Sequence, residues 1–414
     1  MRLRLRTFIS AALLALLPLT GHAQSGITLQ PLWRIEGTPL GTERALDPYL
    51  ALTPNRLFVA GSIEIDRDRR QVIQVFDGET GAYLQTIEDP TGAVFAGHGD
   101  TIAANERFMV TSTYRGRSSG PGAVQVFDAE TGKHLRTIDN PRARDSSFFG
   151  QLPVALSGNR IAAGVALSDD NQSTIWIFDA GTGETVLTLD EPDNEGGFLS
   201  KAERTIFGFS KALSPAHILI SARQKSADDQ RNVGAVFLFD AVSGELKRTF
   251  RPDVPKADTY FGTDIALTED AAIIARSRDA GPLNWPSTEI QAFDLETGAL
   301  KYALQDPDVP QTNEEVVAGN QGSDFGFSFV IMDDLLIIGL PNLSVPGKYK
   351  VGGLQIHDID TGELLARYAN DTGEAGENFG YALVADGDRL AIVSTPEVST
   401  FREITRIDMF RVAR

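Results

Sequence analysis

There is no cysteine in this chain of 414 residues. That excludes disulfides, thiolate metal sites, a cysteine nucleophile and a lipid anchor on an N-terminal cysteine. Histidine is scarce. Beyond His22 there are only His98, His134, His217 and His357, which fall at unlike repeat positions with no paired spacing for a metal or a triad. Basic side chains are outnumbered, 38 against 56 acidic, for a formal charge of −18. A nucleic-acid binder needs basic surface to displace counterions, so DNA and RNA are poor partners, and anionic membranes repel the chain as well. Long apolar runs are also missing. The dozen residues from Phe8 to Leu19 fall short of the roughly 20 that span a bilayer. They follow Arg2, Arg4 and Arg6 and precede the small residues Gly21-His22-Ala23, the layout of a secretory leader. Residues 1–23 are expected to be a signal peptide and 24–414 a single mature domain without a membrane anchor, periplasmic or secreted. Cleavage removes three arginines and no acid, leaving 35 basic against 56 acidic side chains, a net −21. Such acidity keeps an exported protein soluble.

What is present is repetition. Six phrases end in an aromatic-Asp-turn-Gly signature or a close variant: Phe76-Asp77 to Gly81, Phe127-Asp128 to Gly132, Phe178-Asp179 to Gly183, Phe239-Asp240 to Gly244, Phe293-Asp294 to Gly298 and His357-Asp358 to Gly362. Self-similarity at this period means a repeat architecture. Each unit reads as four short strands, clearest near the C-terminus: Phe379 to Val384, Arg389 to Val393, then Ile404 to Val412 with Phe410 in the repeat position. Earlier units add a fourth strand such as Leu84-Gln85-Thr86-Ile87 or Leu364 to Tyr368. Short β-rich runs bounded by Gly, Pro, Asp and Asn argue for an all-β fold. In the Asp-x-x-Thr/Ser-Gly phrase, Asp caps a hairpin turn and Gly takes a positive φ. This makes the repeated aspartates turn punctuation and not metal ligands. A second glycine recurs about 30 residues earlier by the same spacing, at Gly97, Gly150, Gly208, Gly262, Gly326 and Gly380. It marks the start of the innermost strand, where another backbone approaches closely.

The chain ends carry the decisive detail. The last unit stops at Arg414, one strand short, while Pro31-Leu32-Trp33-Arg34-Ile35-Glu36 resembles the fourth strand Leu364-Leu365-Ala366-Arg367-Tyr368. The N-terminal strand is therefore expected to complete the final sheet. The fold class is all-β: a seven-bladed β-propeller of four-stranded antiparallel blades, closed by that strand so that only short protected edges remain.

The Phe-Gly starts, with Gly339-Leu340-Pro341 after the second strand of the sixth unit, resemble the FG-GAP repeats of integrin-α-type propellers. The Phe-Asp-x-x-Thr-Gly hairpins are similar to bacterial PQQ-like propeller repeats. The resemblance covers essentially the whole mature chain and implies the fold more than any activity, because both repeats serve very different functions. Integrin-type repeats often bear an Asp-x-Asp-x-Asp-Gly calcium loop, which is absent here. Quinoprotein dehydrogenases carry adjacent cysteines, which this chain cannot supply.

In a four-stranded blade the first and third turns share one face of the disc, and the remaining connections share the other. Here the first set is short and uniform. The second is long and irregular: 190–206, 223–232, 277–287, 306–324 and 342–351. Variable loops on a rigid scaffold are where binding usually resides. That face supplies the candidate ligand-binding residues Tyr114, Arg115, Trp285 and Tyr349, with Arg117, Lys348 and Lys350 beside them. Aromatics and arginines dominate recognition surfaces. Catalytic signals are thin. Gly116 to Gly120 matches a nucleophile elbow but lies between two strands, whereas that motif needs a strand-turn-helix setting. Asp169-Asp170-Asn171 and Asp193-Asn194-Glu195 offer too few oxygens for a calcium loop on their own. Ser210, Asp264 and Ser328 follow the repeat glycine by two residues and are candidates for the channel wall.

The reading is an exported binding or scaffold module that recognises a protein or polysaccharide on its long-loop face, with no catalytic residue and no cofactor assigned. Two alternatives stay open. One is a periplasmic hydrolase or lyase using carboxylates and tyrosines at the channel mouth. The other is calcium-dependent adhesion.

Overall fold

Runs such as Phe108–Thr113 and Ala123–Asp128 are buried at nearly every position instead of every second one. A strand of that kind must be covered on both faces. The computed structural model describes residues 20–23, 26–36, 49–65, 68–90, 101–113, 122–142, 149–150, 152–165, 173–192, 206–227, 229–278, 287–305, 323–395 and 406–414, and it supplies that cover. Seven antiparallel sheets form, each a meander whose second and third strands are sandwiched between the neighbouring sheets. The core divides into seven apolar clusters, one for each gap between consecutive blades. The cluster that joins the last blade to the first contains Trp33, Leu57, Phe76, Ile407 and Met409. A ring of seven blades with seven filled gaps is closed.

Closure is made as the sequence implied. The strand Thr28–Glu36 pairs antiparallel with Arg406–Ala413, from Thr28 opposite Ala413 to Glu36 opposite Arg406. It thereby completes the sheet of Arg389–Ser394 and Ala382–Asp386. A register shift between Pro31 and Trp33 puts proline at the irregularity, where its missing N–H leaves no ladder bond unmade. Thr20–Ala23 forms a further strand on the outer edge of blade six, with Thr20 opposite Ala369 and Ala23 opposite Ala366. Cleavage after Ala23 would leave Leu364–Ala369 as that blade's edge.

The six hairpins share one construction. In the first, Asp77 Oδ1 accepts from Thr80 N at 2.8 Å and Thr80 Oγ1 at 2.8 Å, and Gly81, with φ 70°, donates its N–H to the Asp77 carbonyl at 2.9 Å. The register shift just before the turn recurs in every hairpin, from Val75/Phe76 to Ile356/His357. A type I turn closed by a left-handed glycine inserts one extra residue into one strand, and that bulge is the shift. The hydroxyl and amide of Thr131 hold the Asp128 carboxyl below its ordinary value of 3.8. A carboxyl depressed on folding contributes stability that is full above the ordinary value and is lost as pH falls through the folded one. Asp128→Asn should therefore lower stability by about 1 kcal/mol at neutral pH, one charge-assisted bond's worth at an exposed site. Denaturant titrations should see that gap close in acid, and a gap of unchanged size there would refute the assignment.

The Phe-Gly positions are where blades lock together on the opposite face. The amide of Phe261 donates to Val233 O and that of Gly262 to Ala275 O, each at 2.9 Å. Two blades on, Phe379 donates to Val351 O and Gly380 to Val393 O in the same way. A Cβ on Gly352, which has φ 85°, would lie 2.1 Å from the Phe379 carbonyl oxygen, so only glycine permits the approach.

Candidate functional site

The two faces of the disc differ in what their side chains already do. On the short-turn face, the outer strand of several blades reaches over the glycine turn of the next. Trp33 Nε1 donates to Gly78 O at 3.2 Å, Gln85 Nε2 to Thr131 O at 3.0 Å and Tyr302 Oη to Ile359 O at 2.6 Å. Arg248 donates to Leu295 O and Glu296 O in the same place. These residues hold the ring together, which accounts for the uniformity of the turns beneath them. A cleft of about 940 Å³ opens on this face between blades four and six. Its floor is apolar, with Leu267, Ile331 and Ile359, and its rim carries Glu269, Asp270, Asp333, Asp334 and Asp360. Lys301 lies 2.8 Å from Asp270 and 3.7 Å from Asp360, and Arg414 pairs with Asp334.

On the long-loop face, Tyr114, Arg115 and Trp285 lie outside the described residues, as do Arg117, the Gly116 to Gly120 motif, His98 and both acidic clusters at 169–171 and 193–195. Tyr349 is described. It is 38 % exposed at the crest of blade six. Its neighbours serve the fold: Lys348 Nζ donates to Asp371 O at 2.6 Å and Gly373 O at 3.0 Å, while Lys350 is buried with its ammonium 5.1 Å from the Tyr349 ring centroid.

At the seam of blades four and five the structure brings together residues that the sequence left separate. Arg223 follows the strand His217–Ala222, and its guanidinium carbon sits 3.5 Å from the centroid of the Phe209 ring. Tyr260, in the connection to blade five, is held by Asn232 Nδ2 at 3.3 Å and itself donates to Asp258 Oδ1 at 3.4 Å. Arg231 pairs with the other oxygen of Asp258 at 3.0 Å. Burial pulls the Arg223 pKa down from its ordinary value, with the Tyr260 hydroxyl opposing. Arg223 lies in a loop that the sequence marks as long. Its stacking on Phe209 had no sequence signal, because the two residues belong to different strands and meet only through the sheet.

Deeper in the wall, Ser210 Oγ donates to Asp264 Oδ1 at 3.2 Å, bridging the innermost strands of blades four and five. Ser328 does the same between blades six and seven, where its Oγ accepts from Leu383 N at 3.1 Å. The expected channel-wall residues thus tie blades together. The Asp264 surface is partly open to the channel, yet protein encloses its other sides, and that burial pushes its pKa up to about 6 against the bonds from Ile265 N and Ser210. Lys211, next to Ser210 in the chain, is buried. Among the described residues its Nζ donates only to Gly208 O, at 2.6 Å, and burial pulls its pKa down to about 7.

His134 and His357 bond within their own blades, while His217 lines the short-turn cleft. His134 Nε2 lies 2.9 Å from Gln125 Oε1. His357, at the position of the repeat phenylalanine, is buried, and both ring nitrogens are engaged, Nδ1 with Gly362 O at 3.0 Å and Nε2 with Gln355 Oε1 at 2.9 Å. Burial pulls its pKa down, with the bond to the Gly362 carbonyl opposing. Among the described residues, no group of three His, Asp or Glu side chains is placed to hold a metal.

No protein family and no curated protein matches the sequence. Solved structures do. The chain is similar to the RRP9 WD40 repeats, at 12% identity and TM-score 0.56 over 95% of this chain and 100% of that one. It is similar to Kuenenia stuttgartiensis hydrazine synthase, at 14% identity and TM-score 0.53 over 90% and 98%. It also resembles the Dos1 propeller, at 13% identity and TM-score 0.50 over 95% and 94%. Identities this low establish the seven-bladed propeller and nothing about activity.

Proposed function

We propose that this protein is an exported binding or scaffold module that holds a protein or polysaccharide partner on its long-loop face, without a cofactor of its own. One observation carries the reading. Outer-strand side chains on the short-turn face bond to the next blade, whereas the long-loop face keeps an exposed Tyr349 and an arginine, Arg223, that among the described residues has no hydrogen bond or ion pair. Propellers commonly work as such platforms, and the kinship we favour is with FG-GAP and PQQ-like repeats. The leader-like residues 1–23 and the acidic mature chain favour a periplasmic or secreted setting.

Affinity capture from the protein's own envelope extract tests the face. Residues 342–351 cannot be scrambled wholesale, because Leu343 and Val351 are buried in the core. The informative variants are Tyr349→Ser and a shuffled 281–286, set against Glu269→Lys with Asp333→Lys in the acidic cleft. Loss of the captured partner by more than about tenfold in the first pair, with the parent melting temperature, is the expected result. Capture untouched by the first pair and lost in the second would move the interface to the short-turn cleft, where carboxylates over an apolar floor suit a cationic partner.

A further inference from the structure

We infer that Arg223, backed by Phe209 and flanked by Tyr260, is a recognition point for a carboxylate presented by an acidic peptide. The inference rests on the long-loop face being the binding surface and names the chemistry it takes there. In an acidic chain, arginines find carboxylates readily: Arg34, Arg56, Arg231, Arg276, Arg406, Arg411 and Arg414 each pair with one. Arg223 does not. Among the described residues it makes neither a hydrogen bond nor an ion pair, and its Nε, like those of Arg56, Arg70 and Arg136, is shielded from solvent without a partner. A buried donor left unmet costs about 1–3 kcal/mol, more when charged, and such a cost persists where an incoming acceptor removes it.

The stack fixes the guanidinium plane. With one flat face against Phe209 at 3.5 Å, the arginine can offer its edge to a planar acceptor. A carboxylate takes two parallel N–H bonds from that edge, and stacking on an aromatic removes the side-chain freedom that binding would otherwise cost. The nearby carboxylate of Asp258 cannot serve from within, because Arg231, Asn232 and Tyr260 already occupy it. Tyr260, fixed by Asn232 and Asp258, supplies a rigid amphipathic wall beside the arginine. The chain's overall negative charge repels polyanions, so a single carboxylate on a short segment is favoured over a polyanionic chain.

The test is an NMR titration of the folded full-length mature chain, following the Arg223 Nε–Hε resonance. The probes are the tripeptide Ala-Glu-Ala, acetate and inorganic phosphate. A saturable shift with the tripeptide is expected, weakened at least about tenfold in Arg223→Lys, whose point charge cannot form the paired bonds. Phe209→Leu should weaken it with the arginine intact, and Tyr260→Phe gives a second variant should Phe209→Leu fail to fold. No saturable shift with any probe overturns the proposal, as does tripeptide affinity unchanged in Arg223→Lys. Tighter binding of phosphate overturns the carboxylate assignment, and acetate binding as tightly as the tripeptide overturns the peptide. This titration reads one arginine only, so its failure leaves the capture result on the loops of the same face standing by itself.

Discussion

Asp408→Ala should destabilise the protein by about 3–5 kcal/mol and loosen the ring at its seam, the range seen when one member of a buried ion network is removed. Asp408 has no exposed surface. Its Oδ1 accepts from Arg34 Nε at 2.5 Å on the N-terminal strand, and its Oδ2 from Arg406 Nε at 2.6 Å on its own strand. Arg406 also pairs with Glu377, which Asn370 Nδ2 steadies at 2.6 Å. Alanine would leave two arginines in the same enclosed space with the central anion gone. Because Arg34 belongs to the closing strand, hydrogen exchange at 28–36 should accelerate more than exchange in blades two to five. Replacing all three residues with apolar ones of similar volume should recover most of the loss, since an ion network's net worth is small against its cost when broken. A denaturation midpoint within about 0.5 kcal/mol of the parent for Asp408→Ala would show that the network does not latch the ring.

Lys211→Met should have the opposite sign. The lysine lies in the innermost strand of blade four, where among the described residues its ammonium meets only the Gly208 carbonyl, and its pKa falls from 10.5 to about 7. A folded-state pKa below the unfolded one means that the native state holds the proton less tightly. Stability therefore rises with pH through the window from about 7 to 10.5 and is lost as pH falls back through it. At neutral pH the burial of this amine costs on the order of 2–4 kcal/mol, after allowance for the bond to Gly208 O. Methionine fills the same space without the charge, so thermal melts should move up by several degrees at pH 7, and the gain should shrink towards pH 10. Other lysines and tyrosines titrate in the same range, which makes the difference between parent and variant the quantity to read. A variant less stable than the parent at neutral pH, or a gain that does not vary with pH, would overturn this account.

Both effects arise at places where a run of sequence looks ordinary. Asp408 sits between the apolar Ile407 and Met409, and nothing in Arg406-Ile407-Asp408-Met409 announces that Arg34, hundreds of residues away, completes its shell. Lys211 follows Ser210 in a strand whose alternation is irregular, and the register shift between Phe207 and Lys211 explains why the outward and inward positions could not be told apart. The candidate site shows the same division. Tyr349 could be chosen from its loop alone and is exposed, whereas Arg223 gains its character from Phe209 and Tyr260.

What the sequence alone determined was the architecture: the repeated Asp-x-x-Thr-Gly hairpins, the Phe-Gly starts, the count of units and the strand at Pro31 to Glu36 that finishes the last sheet. These are legible because each depends on local constraints, turn geometry and one strand's two faces, which repeat wherever the same residues do. Only the tertiary structure decided which charges are shared and which are left over, that is, the enclosed Asp408, the buried Lys211 and the Nε of Arg223. Those states depend on burial and on partners brought in from other blades, and burial belongs to the assembled ring rather than to any stretch of chain.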